Sequence, residues 1–219
     1  MEIKYFVRTL EGRECDLPEY VERIFDYEHK YVKSYIDALY KINDYDAVLM
    51  EDDIVLCRNF KEEIEKVINK YPNNIINFFA SPDKYYTSHF SSMFIYNQCT
   101  YFPKGITKFF ADEMMKVYMP EEPGKHTVQR YGSLLNIILY DNNIPHLIYR
   151  PCLVQHIDAK STRDGWCGRR NTPYFKDYLD DIGITMEEAF QKQNLDKLKA
   201  LLERDRKKWY DDIDAKKRR

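Results

Sequence analysis

The feature that most constrains this 219-residue chain is a run of four apolar residues, Ala47-Val48-Leu49-Met50. It stops at three adjacent acids, Glu51-Asp52-Asp53, and resumes as Ile54-Val55-Leu56. Four apolar residues in a row leave a strand no polar face, so both of its faces need cover. Helices above and below a sheet supply that cover, which is the α/β arrangement. In open sheets of this kind ligands bind at the carboxyl ends of the strands, where the three acids fall. Neighbouring carboxylates repel one another unless a cation or hydrogen-bond donors compensate. A hard divalent ion with oxygen ligands, Mn2+ or Mg2+, compensates them and keeps positions open for diphosphate oxygens. The competing explanation is a solvated loop that begins with acids. The apolar residues on the far side argue against it, because they pin the acids between two hydrophobic anchors.

The rest of the chain fits that class. Ile3 to Leu10 predicts a first strand, ended by Glu11-Gly12. Asp16-Leu17-Pro18-Glu19 reads as a helix start, and Tyr20 to Tyr40 carries apolar residues at helical spacing, as one helix or two. Asn59 is placed to cap a helix over Phe60 to Tyr71, and Ile75 to Phe79 predicts a further strand. Met93 to Tyr96 and Cys99 to Phe102 predict short strands, and Ile106 to Met119 and Thr127 to Tyr140 predict helices. His146 to Arg150 predicts a last strand, leading into Pro151 to His156. Residues 158–173 are polar, without periodicity, and read as a loop. Thr185-Met186-Glu187-Glu188 is a capping box, and a second run starting at Asn194 carries Leu195, Leu198, Leu201 and Leu202. The expected division is a catalytic domain over 1–161, with a loop and C-terminal helices over 162–219.

Composition narrows the partners. Hydrophobic residues make up 44% and charged residues 32%, ordinary values for a globular domain. A net charge of -2 argues against a generic polyanion binder, although Arg204 to Arg219 is rich in Lys and Arg. The 19 tyrosines suit a polyhydroxylated or ring-containing ligand, and serve equally as core and surface filler. Five scattered cysteines without CxxC spacing, and no run of about 18 apolar residues, lead to the expectation of a cytoplasmic protein without a membrane span.

Val48 to Leu56, followed by Phe60 and a helix, resembles the acidic signature of GT-A fold glycosyltransferases. The resemblance is strongest to glycosyltransferase family 25, the lipooligosaccharide galactosyltransferases, and small phage and bacterial relatives. Pro151-Cys152-Leu153-Val154-Gln155-His156-Ile157-Asp158-Ala159-Lys160-Ser161 is similar to a second segment of such enzymes, although Asp158 stands where the family has Gly. Together the two segments imply a Rossmann-type mixed sheet flanked by helices, with a helical tail. They imply a metal held by Glu51, Asp53 and His156, and Asp52 near the ribose or sugar of the donor. Neutral imidazole also suits Mn2+ on chemical grounds.

The activity implied is transfer of a sugar from a nucleotide-sugar, a UDP-sugar, to an acceptor hydroxyl. A glycan, a small molecule, a protein and a hydroxylated base in phage-type DNA all stay open as acceptors. Arg8, at the end of the first strand, and Ser161 are expected to contact the donor; Arg13, Lys84 and the Arg163, Arg169 and Arg170 group are weaker candidates. An inverting enzyme needs a carboxylate base. None begins the helix near Tyr131, which leaves Glu121 and Glu122, then Asp141, and leaves the stereochemistry open. Two rivals remain: a metal-dependent nucleotidyltransferase or phosphodiesterase, and a nucleotide-sugar-binding module without turnover. The first would want further dispersed carboxylates or a glycine-rich phosphate loop, and the chain has only seven glycines and neither GxGxxG nor a Walker pattern.

Overall fold

The computed structural model describes residues 2–13, 15–80, 88–91, 97–122, 130–157 and 171–217. Its centre is a mixed seven-stranded sheet. β1 (Ile3–Thr9) lies between β2 (Val21–Phe25) and β3 (Asp46–Glu51), parallel to both. Beyond β3 come β7 (Cys99–Phe102), β5 (Ile75–Asn77), β8 (His146–Ile148) and β6 (His89–Ser91). β7 and β6 run against their neighbours, so the carboxyl ends of β1, β2, β3, β5 and β8 share one edge. A separate antiparallel ribbon pairs β4 (Ile54–Leu56) with β9 (Val154–His156).

Both faces of the sheet are covered, as the unbroken apolar run of β3 requires. Along β1 and β3 alternate residues point opposite ways. Tyr5, Val7, Val48 and Met50 enter one core with α2 (Phe60–Lys70), α5 (Lys176–Ile182) and α6 (Lys192–Lys217). Phe6, Ala47 and Leu49 enter the other with α1 (Tyr31–Ile42), α3 (Thr107–Val117) and α4 (Tyr131–Asp141). The architecture is a mixed α/β, Rossmann-like sheet flanked by helices with a C-terminal helix. Tyr174, Phe175, Tyr178, Leu179, Leu198 and Leu202 lie in the same cluster as the strands, so the C-terminal helices close the first core.

Three expectations change. The stretch 20–30 is no helix: Val21 and Ile24 are buried as parts of an edge strand paired to β1, and α1 starts only at Tyr31. Sheet pairing outweighs the three-residue spacing that imitates a helix, and the Asp16-to-Glu19 signal opens a turn in which Val21 N–H bonds the Pro18 carbonyl. Asn59 does precede α2, but in a left-handed conformation (φ 55°) and without a side-chain cap bond. The capping box forms as expected: Thr185 N–H donates to Glu188 Oε2 at 2.8 Å, and Glu188 N–H to Thr185 Oγ1 at 3.3 Å. It opens only a single 3-10 turn, Glu188–Phe190. The predicted strand 93–96 lies outside the described residues.

Candidate metal and sugar-nucleotide site

β1 and β3 are in register with Arg8 opposite Glu51, so the shared edge begins with a charge pair. Arg8 Nη2 donates to Glu51 Oε1 at 3.1 Å and Oε2 at 2.9 Å, and Arg8 Nη1 donates to the Tyr31 carbonyl at 2.8 Å. The guanidinium carbon lies 4.8, 5.6 and 4.7 Å from the ring centroids of Tyr31, Tyr35 and Tyr131, within cation–π range. Tyr131 O–H donates to Glu51 Oε1 at 2.7 Å and receives the Tyr31 O–H at 3.0 Å. Arg8 is 5% exposed. Burial works against its charge, yet the Glu51 carboxylate and the Tyr131 and Tyr31 oxygens hold its pKa well above the usual value. Burial pushes the Glu51 carboxyl upward, and Arg8 and Tyr131 pull against it.

The neighbouring acids meet different partners. Asp52 Oδ2 accepts the Thr9 hydroxyl at 2.7 Å, and Arg13 Nη1 stands 3.1 Å from Asp52 Oδ1. Burial raises the Asp52 pKa, with Arg13 and Thr9 opposing. Asp53 begins the turn into β4, where Ile54 pairs with His156 and Ile157 N–H donates to the Asp53 carbonyl at 2.8 Å. This pairing sets His156 Nε2 at 3.2 Å from Asp53 Oδ2. The imidazole is buried, its ring 6.5 Å from that of Phe79 just beyond β5, and its Nδ1 has no hydrogen-bond partner among the described residues. Asp53 keeps 29% of its side-chain surface, the most of the three acids.

Gln155 explains why the ribbon holds. Its side-chain amide donates to the Thr172 carbonyl at 2.7 Å and accepts the Thr172 N–H at 3.0 Å, a two-bond clamp on the returning chain. Leu153 N–H bonds the Phe78 carbonyl at 3.1 Å, which ties the ribbon to the central sheet.

The other expected residues separate. Glu121 turns to a helix start instead of the acids: its Oε2 accepts the N–H groups of Val32 and Lys33, at 2.8 and 3.0 Å, in the first turn of α1. It lines a cavity of about 360 Å³ with Asp26, Lys33 and Tyr118. Glu122 is exposed next to it, and Asp141 is the exposed last residue of α4. Ser161, Lys84, Arg163, Arg169 and Arg170 lie outside the described residues. Sequence reasoning missed Thr9, Gln155 and the three tyrosines around Arg8. Only the four-residue spacing of Tyr31 and Tyr35, which puts both rings on one helix face, was a readable signal.

Among the described residues no three His, Cys, Asp or Glu side chains converge as a metal-holding group. The Asp53 and His156 atoms do suit a shared ion. Two ligands at about 2.1 Å and right angles to one another stand about 3.0 Å apart, close to the observed spacing. No protein-family model, curated protein or solved structure matches this chain.

Proposed function

We propose that this chain is a metal-dependent glycosyltransferase that moves a sugar from a nucleotide-sugar, a UDP-sugar, to an acceptor hydroxyl. One observation carries the reading. Two segments about a hundred residues apart, each resembling glycosyltransferase motifs, meet through the β4–β9 pairing with Asp53 and His156 3.2 Å apart. Asp53 and His156 would hold Mn2+ or Mg2+, which when bound offsets the charge of the diphosphate leaving group. A small hard cation that takes one or two protein ligands fills its remaining positions with water and phosphate oxygens, so two ligands are enough. The position of the pair, at the carboxyl edge of a sheet covered on both faces, agrees with where such sheets bind nucleotides.

Glu121 is a poor candidate for the acceptor's base, because its carboxylate accepts two N–H groups from the backbone of α1. The test is release of UDP from a panel of UDP-sugars with Mn2+, using water or simple glycosides as acceptors. Native protein is expected to release UDP and Asp53→Ala to lose at least about a hundredfold in rate, within the range for removing a group that stabilises developing charge. Binding of UDP-sugars with no release would favour a binding module. Absence of both would sink the reading.

A further inference from the structure

Among the described residues, two of the three acids that the sequence presents as one cluster face arginines. Arg13 faces Asp52, and Arg8 takes both oxygens of Glu51. We infer that Glu51 is a positioning residue, held inside the fold by Arg8 and Tyr131, which acts through the end of β3 on Asp53 and supplies no oxygen to a bound cation. The inference rests on the metal-binding reading of Asp53 and His156.

Three observations support it. Glu51 Oε1 already has two donors and Oε2 one, and the side chain keeps only 14% of its surface. Turning it outward would strand Arg8 beneath three tyrosine rings without its carboxylate, and an unpaired buried charge is strongly unfavourable. The backbone is fastened on both sides of the turn as well: Glu51 N–H donates to the Gln98 carbonyl at 3.0 Å, and the Asp53 carbonyl receives Ile157 N–H at 2.8 Å. A fixed residue 51 therefore fixes where Asp53 starts. The clamp also joins the first residues of α1 and α4 to β1 and β3, since Tyr31 and Tyr131 open those helices.

A consequence follows for the cation. With Asp53 and His156 as the contributing side chains among the described residues, ion and diphosphate bind as a unit, so UDP tightens Mn2+ binding. Loss of the free-ion electron paramagnetic resonance signal measures this when the chain is titrated with Mn2+ in the presence and absence of UDP. Glu51→Ala is expected to weaken Mn2+ binding in the presence of UDP about tenfold, as removal of supporting groups around metal ligands does. The double variant Arg8→Met/Glu51→Met refills the space between the rings with apolar side chains and removes both charges. It is expected to recover to within roughly threefold of native, because well-packed apolar replacements of buried ion pairs are tolerated. Asp53→Asn is expected to abolish the UDP-dependent binding. Thermal midpoints of all variants verify folding, and if Glu51→Ala does not fold, the double variant carries the test.

A folded double variant that fails to bind Mn2+ with UDP would make Glu51 a ligand and overturn the inference. Unchanged affinity in folded Glu51→Ala would make the clamp purely structural and overturn it equally. If the native chain itself binds no Mn2+ with UDP, the functional reading fails, and this inference falls with it.

Discussion

The hydroxyl of Tyr131 joins two groups that would otherwise each lose a partner: it donates to Glu51 and receives the Tyr31 hydroxyl. Tyr131→Phe keeps the ring over Arg8 and the ring stack on Tyr35, whose centroid is 4.3 Å away, and deletes only the oxygen. Removing one partner from a buried polar group costs about 1–3 kcal/mol. Urea denaturation should show a loss of that size. A loss below about 0.3 kcal/mol would mean that the hydroxyl bonds add little to the Arg8 pair. His156 shows the opposite: its ring is buried, yet among the described residues its Nδ1 has no hydrogen-bond partner.

At the scale of elements, α1 is capped from a distance. None of its own first residues is acidic and the Lys30 side chain makes no capping bond, so the first-turn N–H groups of Val32 and Lys33 turn to Glu121, and Asp26 Oδ1 accepts Lys30 N–H at 3.2 Å. A carboxylate there also meets the positive end of the helix dipole. Glu121→Ala is expected to cost about 0.5–2 kcal/mol, the range for losing a helix cap, while UDP release per folded molecule stays close to native. Equal stability with abolished turnover would instead return Glu121 to the role of base. The β4–β9 ribbon is the other decisive element. Each strand has three residues, and Gln155 together with the Leu153–Phe78 bond compensates for that short pairing.

For the whole molecule, the two cores share one sheet and the last helix completes one of them. Leu198 is fully buried on α6 among residues of the strands and α2. Leu198→Ala should cost about 2–5 kcal/mol, as for buried leucines generally, and unfolding should remain a single cooperative transition. A separate early transition in calorimetry would show α6 to be a unit apart. The buried tyrosines add a pH limit. Burial raises the phenol pKa values of Tyr31, Tyr35 and Tyr131, with Glu51 adding to the effect. An acid whose native pKa is raised gives stability that is complete below its unfolded value, about 10 for Tyr, and is lost as pH rises past it. Stability should therefore fall from about pH 10 upward, and phenolate absorbance from these three rings should appear only with unfolding. Their ionisation while near-ultraviolet circular dichroism stays native would contradict this.

No membrane-crossing candidate appears among the described residues, where no helix is long and apolar enough. The strands with continuous apolar runs and the helices α2 to α4 were legible from sequence, because burial on two faces or on one helical stripe leaves a local pattern. Tyr20 to Lys30 was not, because the pairing of β2 with β1 is a long-range choice that its own spacing contradicts. The same divide runs through the site. Glu51-Asp52-Asp53 was visible as three acids at a strand end, and His156 as an imidazole in a second segment. Their division of labour was not visible, since it depends on which side chains lie opposite. Arg8 draws Glu51 inward, Thr9 and Arg13 hold Asp52, and the ribbon turns Asp53 toward His156. Sequence by itself determined the residue types, their order and the need for a two-sided sheet. Tertiary structure alone decided which carboxylate keeps the most surface, because partners brought from distant segments set how each charge is compensated.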